Sequence, residues 1–194
     1  MFIALIALAL LTISGVALMR TLAPAATIAG NIAFKQSATQ ASDVGVELAF
    51  VNLQDKVNRA VTHVDASPHY YALMGATDAN GLPQLGTPVA PIDWNDSRLP
   101  CFSTAGAPSN CSDESQYRIQ YVIDRQCTAI AGVSPQTDTE VAENCLVLNT
   151  NDSRESRRSD RMLFPPPKPV VYRATIHVRG PRNTSSLVQT SLTF

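Results

Sequence analysis

The first nineteen positions are mostly hydrophobic and hold no charge, and the apolar residues then thin into a one-sided pattern that lasts to about residue 64. As a helix, residues 1–19 would span roughly 28 Å, close to the hydrocarbon thickness of a bilayer. Thr12, Ser14 and Gly15 do not oppose a membrane setting. A hydroxyl can bond back to its own helix, and small residues admit a second helix closely. Arg20 marks where an interface would fall. Further on, Ile28, Ile32, Ala41, Val44, Gly45, Leu48 and Val51 recur at helical spacings, with Asn31, Lys35, Gln36, Gln40, Asp43 and Glu47 on the other side. Leu53, Val57, Ala60 and Val61 prolong the stripe, and Ser67-Pro68 supplies a stop. The pattern predicts one long helix in two halves, residues 1–20 apolar up to the closing Arg20 and residues 21–65 amphipathic. Pro24 stands near their junction, where its missing N–H and its ring predict a kink. A cleaved secretory signal ending near Ala23-Pro24-Ala25 is the rival. No basic stretch precedes the apolar run, which is longer than the usual roughly 7–15 residues of such a signal.

Residues 66–194 have a different texture and form the third segment. The run SPHYYALMGATDANGLPQLGTPVAPIDWNDSRLP is rich in Gly, Pro, Asn and Asp and has no sustained period, which reads as a long loop with short helices at most. YRIQYVID then alternates Tyr117, Ile119, Tyr121 and Ile123 with Arg118, Gln120 and Asp124, predicting a half-buried strand. Residues 145–148 form a shorter strand candidate. Val170, Tyr172, Ala174, Ile176 and Val178 alternate with Arg173, His177 and Arg179. Gly180-Pro181-Arg182-Asn183 then turns the chain into SLVQTSLTF, an antiparallel hairpin. The expected class is α+β, with a small antiparallel sheet against the second half of the long helix.

Charge and cysteine content narrow the setting. Fifteen Lys and Arg nearly balance sixteen Asp and Glu, so no net field favours nucleic acid or an acidic surface. Cys101, Cys111, Cys127 and Cys145 lack paired CxxC spacing, which sets zinc ribbons and redox motifs aside. An even count behind an apolar segment suits disulfides in an oxidising compartment. Of three pairings, Cys101–Cys111 with Cys127–Cys145 is favoured, because each staples a local loop and contributes roughly 3 kcal/mol.

The stretch LTISGVALMRTLAPAATIAGNIAFKQSATQASDVGVELA resembles the N-terminal region of PilX-like minor pilins of the type IV pilus assembly system. The matching residues are Met19-Arg20, Ile28-Ala29-Gly30-Asn31, Phe34-Lys35-Gln36, Gln40-Ala41, Asp43, Gly45 and Glu47. The closing VYRATIHVRGPRNTSSLVQTSL and the central YRIQYVIDRQC resemble the family's hairpin and strand. The resemblance implies a pilin-like fold and a structural, non-enzymatic role needing no cofactor. It implies an inner-membrane anchor with a periplasmic C-terminal domain, and assembly with other minor pilins and the major pilin through the N-terminal helix. Ala4, Ala7, Ser14, Gly15 and Ala17 are then the close-packing positions of that helix. Prepilins carry a basic leader ending in glycine, and many carry an acidic residue early in the helix. Neither is in this sequence, so the resemblance implies a leader already removed or a late start. It also implies a place at or near the pilus tip, in a complex that primes the fibre. A pseudopilin of a related secretion machine and a membrane-tethered periplasmic enzyme or binding domain are the alternatives.

Catalytic signatures are lacking: there is no G-x-S-x-G, Walker loop, G-x-G-x-x-G or H-E-x-x-H. His63, Asp65 and His69 offer a metal spacing that a solvated loop explains better. Arg154, Arg157, Arg158 and Arg161 could touch phosphates, but Asp152, Glu155 and Asp160 interleave with them, which reads as a mixed-charge surface loop. The PPPKP at residues 165–169 reads as a stiff connector. Trp94, Tyr70 and Tyr71 read as packing residues more readily than as an adhesive surface. Four N-x-S/T triplets, at Asn95, Asn110, Asn151 and Asn183, read as chance matches to a glycosylation pattern.

Overall fold

The computed structural model describes residues 2–66, 68–80, 82–85, 90–128, 138–148, 169–181 and 184–194, without the side chains of Leu18, residues 21–26 and residues 138–139. The chain is α+β. A long helix, α1 (Phe2–Asn58), precedes six short strands: β1 (Tyr70–Tyr71), β2 (Ala76–Thr77), β3 (Pro83–Leu85), β4 (Ala90–Pro91), β5 (Cys101–Phe102) and β6 (Pro108–Ser109). The longer β7 (Arg118–Arg125) follows, then α2 (Asp138–Asn144) and the hairpin β8 (Val171–Gly180) and β9 (Thr184–Thr193). The main sheet runs β6-β5-β7-β8-β9 antiparallel, with β1 added parallel to β7. β2, β3 and β4 form a separate small antiparallel sheet.

The C-terminal part of α1 lies on the sheet through short side chains. Ala38, Ala41, Ser42, Gly45, Ala49 and Leu53 are its buried positions, spaced three and four apart on one face. They meet Ile119, Tyr121 and Ile123 of β7 and Tyr172, Ala174, Ile176 and Val178 of β8 in one core. A Cβ at Gly45 would fall 2.5 Å from Ile176 Cγ2 and 2.9 Å from Ile119 Cγ2, so only a hydrogen fits between helix and sheet there. The seam is rotated from the expected stripe: Val44 and Leu48 are half-buried beside it, and Ile28, Ile32 and Val51 are exposed. Phe34, stacked on Tyr117 with centroids 6.1 Å apart, closes the seam at one end. Phe50 against Phe194, at 5.0 Å, lies toward the other.

The helix ends earlier than its apolar stripe. Ala60 takes a left-handed φ of 54°. Its N–H bonds to Val57 O (3.0 Å) and Val61 N–H bonds to Lys56 O (3.0 Å), the paired 5→2 and 6→1 closure of a Schellman cap. Ala60 and Val61 therefore leave the helix, and the expected end near residue 65 is corrected to Asn58. An alanine in the position that glycine usually fills gives no warning of this. The helix is continuous through residue 24, and the kink expected at Pro24 falls on side chains outside the described ones.

Two further expectations are revised, and one helix is added. Residues 66–100 carry β1–β4 rather than short helices among the described residues. Residues 145–148 make two isolated bridges, Cys127 with Cys145 and Val147 with Val170, in place of a strand. α2 was not foreseen. The basic run at residues 154–161 and residues 165–168 of the proline connector lie outside the described residues. Disulfides join Cys101 to Cys111 and Cys127 to Cys145, the two local pairs that spacing favours.

Candidate functional site

Two surfaces carry features that the fold alone does not require. The first is the free part of α1. Phe2, Ile3, Leu5, Ile6, Leu8, Leu10, Leu11, Ile13, Val16 and Met19 are all more than half exposed. Among the described side chains of α1, those up to Ala33 are exposed and full burial begins at Ala38; Thr27, Gly30, Asn31 and Ala33 already line a groove with Tyr117, Pro181 and Thr184. Thr12 Oγ1 donates to Ala9 O and Ser14 Oγ to Leu10 O, each at 2.9 Å, so both hydroxyls are satisfied within the helix. Ala4, Ala7, Ser14, Gly15 and Ala17 are exposed, and space for a Cβ at Gly15 is open. Arg20, also exposed, follows this stretch. Among the described residues no helix is long and apolar enough to cross a membrane.

The second surface is the sheet face turned away from α1. The alternation in β7 and β8 predicts solvent here, but Arg118, Gln120, Asp124 and His177 are all at most 6% exposed. The expectation of a half-buried strand is therefore corrected: β7 is buried on both faces. The covering layer comes from residues 71–99, where Leu85 and Leu99 pack on Val122 with Tyr71, Ile92 and Trp94 around them. Four cross-strand pairs lie beneath: Arg118 with Arg179, Gln120 with His177, Val122 with Thr175, and Asp124 with Arg173.

Charge is balanced at one end of this row and not at the other. Arg173 Nε and Nη2 reach Asp124 Oδ1 and Oδ2 at 3.0 and 2.8 Å, a bidentate pair, and Gln126 Nε2 adds a bond of 2.7 Å. Burial pushes the Asp124 carboxyl up, while Arg173 pulls the other way. At the opposite end two arginines, Arg118 and Arg179, are paired in the strand register. Arg118 Nη1 donates to Cys111 O, and its Nε has no partner. Arg179 Nη2 donates to Asn95 Oδ1 at 2.9 Å. His177 rests on Trp94, with centroids 4.7 Å apart, and its Nδ1 is unpaired. Burial, then Arg179 and Arg118, hold its pKa down to about 4. A cavity of about 160 Å³ opens here, lined by Trp94, Asn95, Asp96, Arg118, Gln120 and Arg179 among others.

Among the described residues no three His, Cys, Asp or Glu side chains gather as a metal site. Asp65 accepts from Ala72 N–H, and His69 packs on Tyr121. Tyr70 is fully buried with its hydroxyl on Thr62 O, so it serves packing rather than an exposed adhesive surface. The Arg118–Arg179 end was not foreseen from the sequence. The signal for it was the presence of basic residues on the polar face of both strands, which needs the β7–β8 pairing to become visible. No protein-family model, curated protein or solved structure matches this chain.

Proposed function

We propose that the chain is a membrane-anchored minor pilin, a structural subunit that helps begin a type IV pilus. The observation that carries this reading is the two-part α1: a seam of small residues fixes one part on the sheet, and the other presents exposed apolar side chains from Phe2 to Met19. A surface of that extent on a single helix calls for lipid or other helices to cover it. In the membrane, each apolar residue of the first nineteen gains a few tenths of a kcal/mol. In the fibre, neighbouring helices replace the lipid and approach closely at Ala4, Ala7, Ser14, Gly15 and Ala17. The disulfides agree with folding in an oxidising periplasm.

The test is a deletion strain scored for surface pili and complemented with the wild type and with Leu8→Arg. The wild type restores fibres, and Leu8→Arg leaves the subunit stranded or degraded. Full piliation with Leu8→Arg, or from the deletion strain itself, refutes the reading.

A further inference from the structure

We infer that the Arg118–Arg179 end of the sheet is a binding site for a small oxyanion, a phosphate, sulfate or carboxylate group. The inference stands apart from the pilin reading and rests on three observations. First, the two arginines are directly opposed in the β7–β8 register, an arrangement of like charges that destabilises a sheet unless something neutralises it. No carboxylate among the described residues bonds to either: the three ion pairs there are Asp55–Arg59, Asp96–Arg98 and Asp124–Arg173. Asp96 lines the same cavity, but Arg98 holds it through Nε and Nη2, and Asp113, which feels Arg118, is bonded to Ser115. Second, Arg118 is 94% buried by its 6% exposure, and its Nε lacks a partner. A buried guanidinium N–H without an acceptor is costly, and an anion in the cavity it lines removes that cost. Third, the cavity of about 160 Å³ is large enough for an oxyanion with a few attached atoms.

The neighbours suit that occupant. The guanidinium fork matches two oxygens of a phosphate or carboxylate, and the exposed Asn95 side chain leaves a path to solvent. The Cys101–Cys111 bond anchors Cys111, whose carbonyl accepts from Arg118 Nη1.

Trp94 is the single tryptophan of the chain and lines the cavity, so its fluorescence reports occupancy. The full chain in a non-ionic detergent is titrated with sodium phosphate, sodium sulfate and sodium acetate, with chloride holding ionic strength constant. A saturable change with a Kd below about 1 mM for at least one oxyanion is expected. The comparison of phosphate and sulfate with acetate separates tetrahedral from planar ligands. Arg179→Gln should weaken binding about tenfold or more, and Arg118→Gln should abolish it. Arg59→Gln, whose exposed partner Asp55 lies outside the cavity lining, should retain the saturable response. If Arg118→Gln fails to fold by circular dichroism, the half-exposed Arg179→Gln decides. A flat response to all three anions up to about 20 mM, or an unchanged response in folded Arg179→Gln, overturns the inference.

Discussion

Gly45 tests whether the helix is seated on the sheet as closely as described. In a helix interior, Gly→Ala is stabilising by about 1 kcal/mol, because glycine loses more backbone freedom on folding. At Gly45 that gain meets a steric obstacle: the new methyl would lie 2.5 Å from Ile176 Cγ2 and 2.9 Å from Ile119 Cγ2, both on side chains with no exposure. Either the isoleucines leave their rotamers or α1 lifts from β7 and β8. Overpacking of this kind costs about 1–3 kcal/mol. Gly30 on the same helix has nothing within 4 Å of a Cβ, so Gly30→Ala receives the propensity gain without the clash. The difference between the two variants cancels propensity, leaving Gly45→Ala about 1–3 kcal/mol less stable than Gly30→Ala. Urea unfolding of the full chain in detergent, followed by Trp94 fluorescence, measures it. Equal stability of the two alanine variants would refute the close seating and the packing argument built on it.

Three other substitutions probe separate links. His177, with a folded pKa of about 4 against 6.5 in the unfolded chain, favours folding while neutral. Its contribution, on the order of 3 kcal/mol, is complete above pH 6.5 and fades as pH falls toward 4, because the unfolded state takes up the proton first. His69, also lowered by burial, acts in the same sense, so His177→Gln should flatten but not remove the slope of stability between pH 4 and 6.5. An unchanged slope would contradict the burial of His177. Asp124→Ala should destabilise by about 3–5 kcal/mol by leaving Arg173 unpaired, whereas the double change Asp124→Leu with Arg173→Met should come near neutral in the same unfolding assay. Ala60→Gly should gain about 0.5–1 kcal/mol by relieving a left-handed alanine, read as a higher urea midpoint; a loss would place the helix end elsewhere.

What could be read in advance had local causes. The long helix showed in its period, the final hairpin in alternation around Gly180-Pro181, and the disulfides in short loop spacing. The polar positions Asn31, Lys35, Gln36, Gln40, Asp43 and Glu47 are all exposed as their spacing predicts. The missed features depend on distant segments. Nothing in YRIQYVID shows that residues 71–99 will cover its charged face, since that segment has no period and is held by Gln120 Nε2 on Trp94 O across 26 residues. The Arg118–Arg179 opposition likewise needs two strands that 45 residues separate to pair in one register. The helix end escaped because alanine, unlike glycine, carries no sign of a left-handed backbone.

Neither disulfide includes a residue of α1: one closes the β5–β6 region and the other ties the chain just after β7 to the residue after α2. A pull along the exposed end of α1 therefore reaches the domain as shear, spread over methyl-sized contacts between residues 38 and 53. Covalent continuity runs only through the chain that follows residue 58. The staples protect the domain from unravelling without stiffening its mount, so the place built to yield under tension is the mount itself.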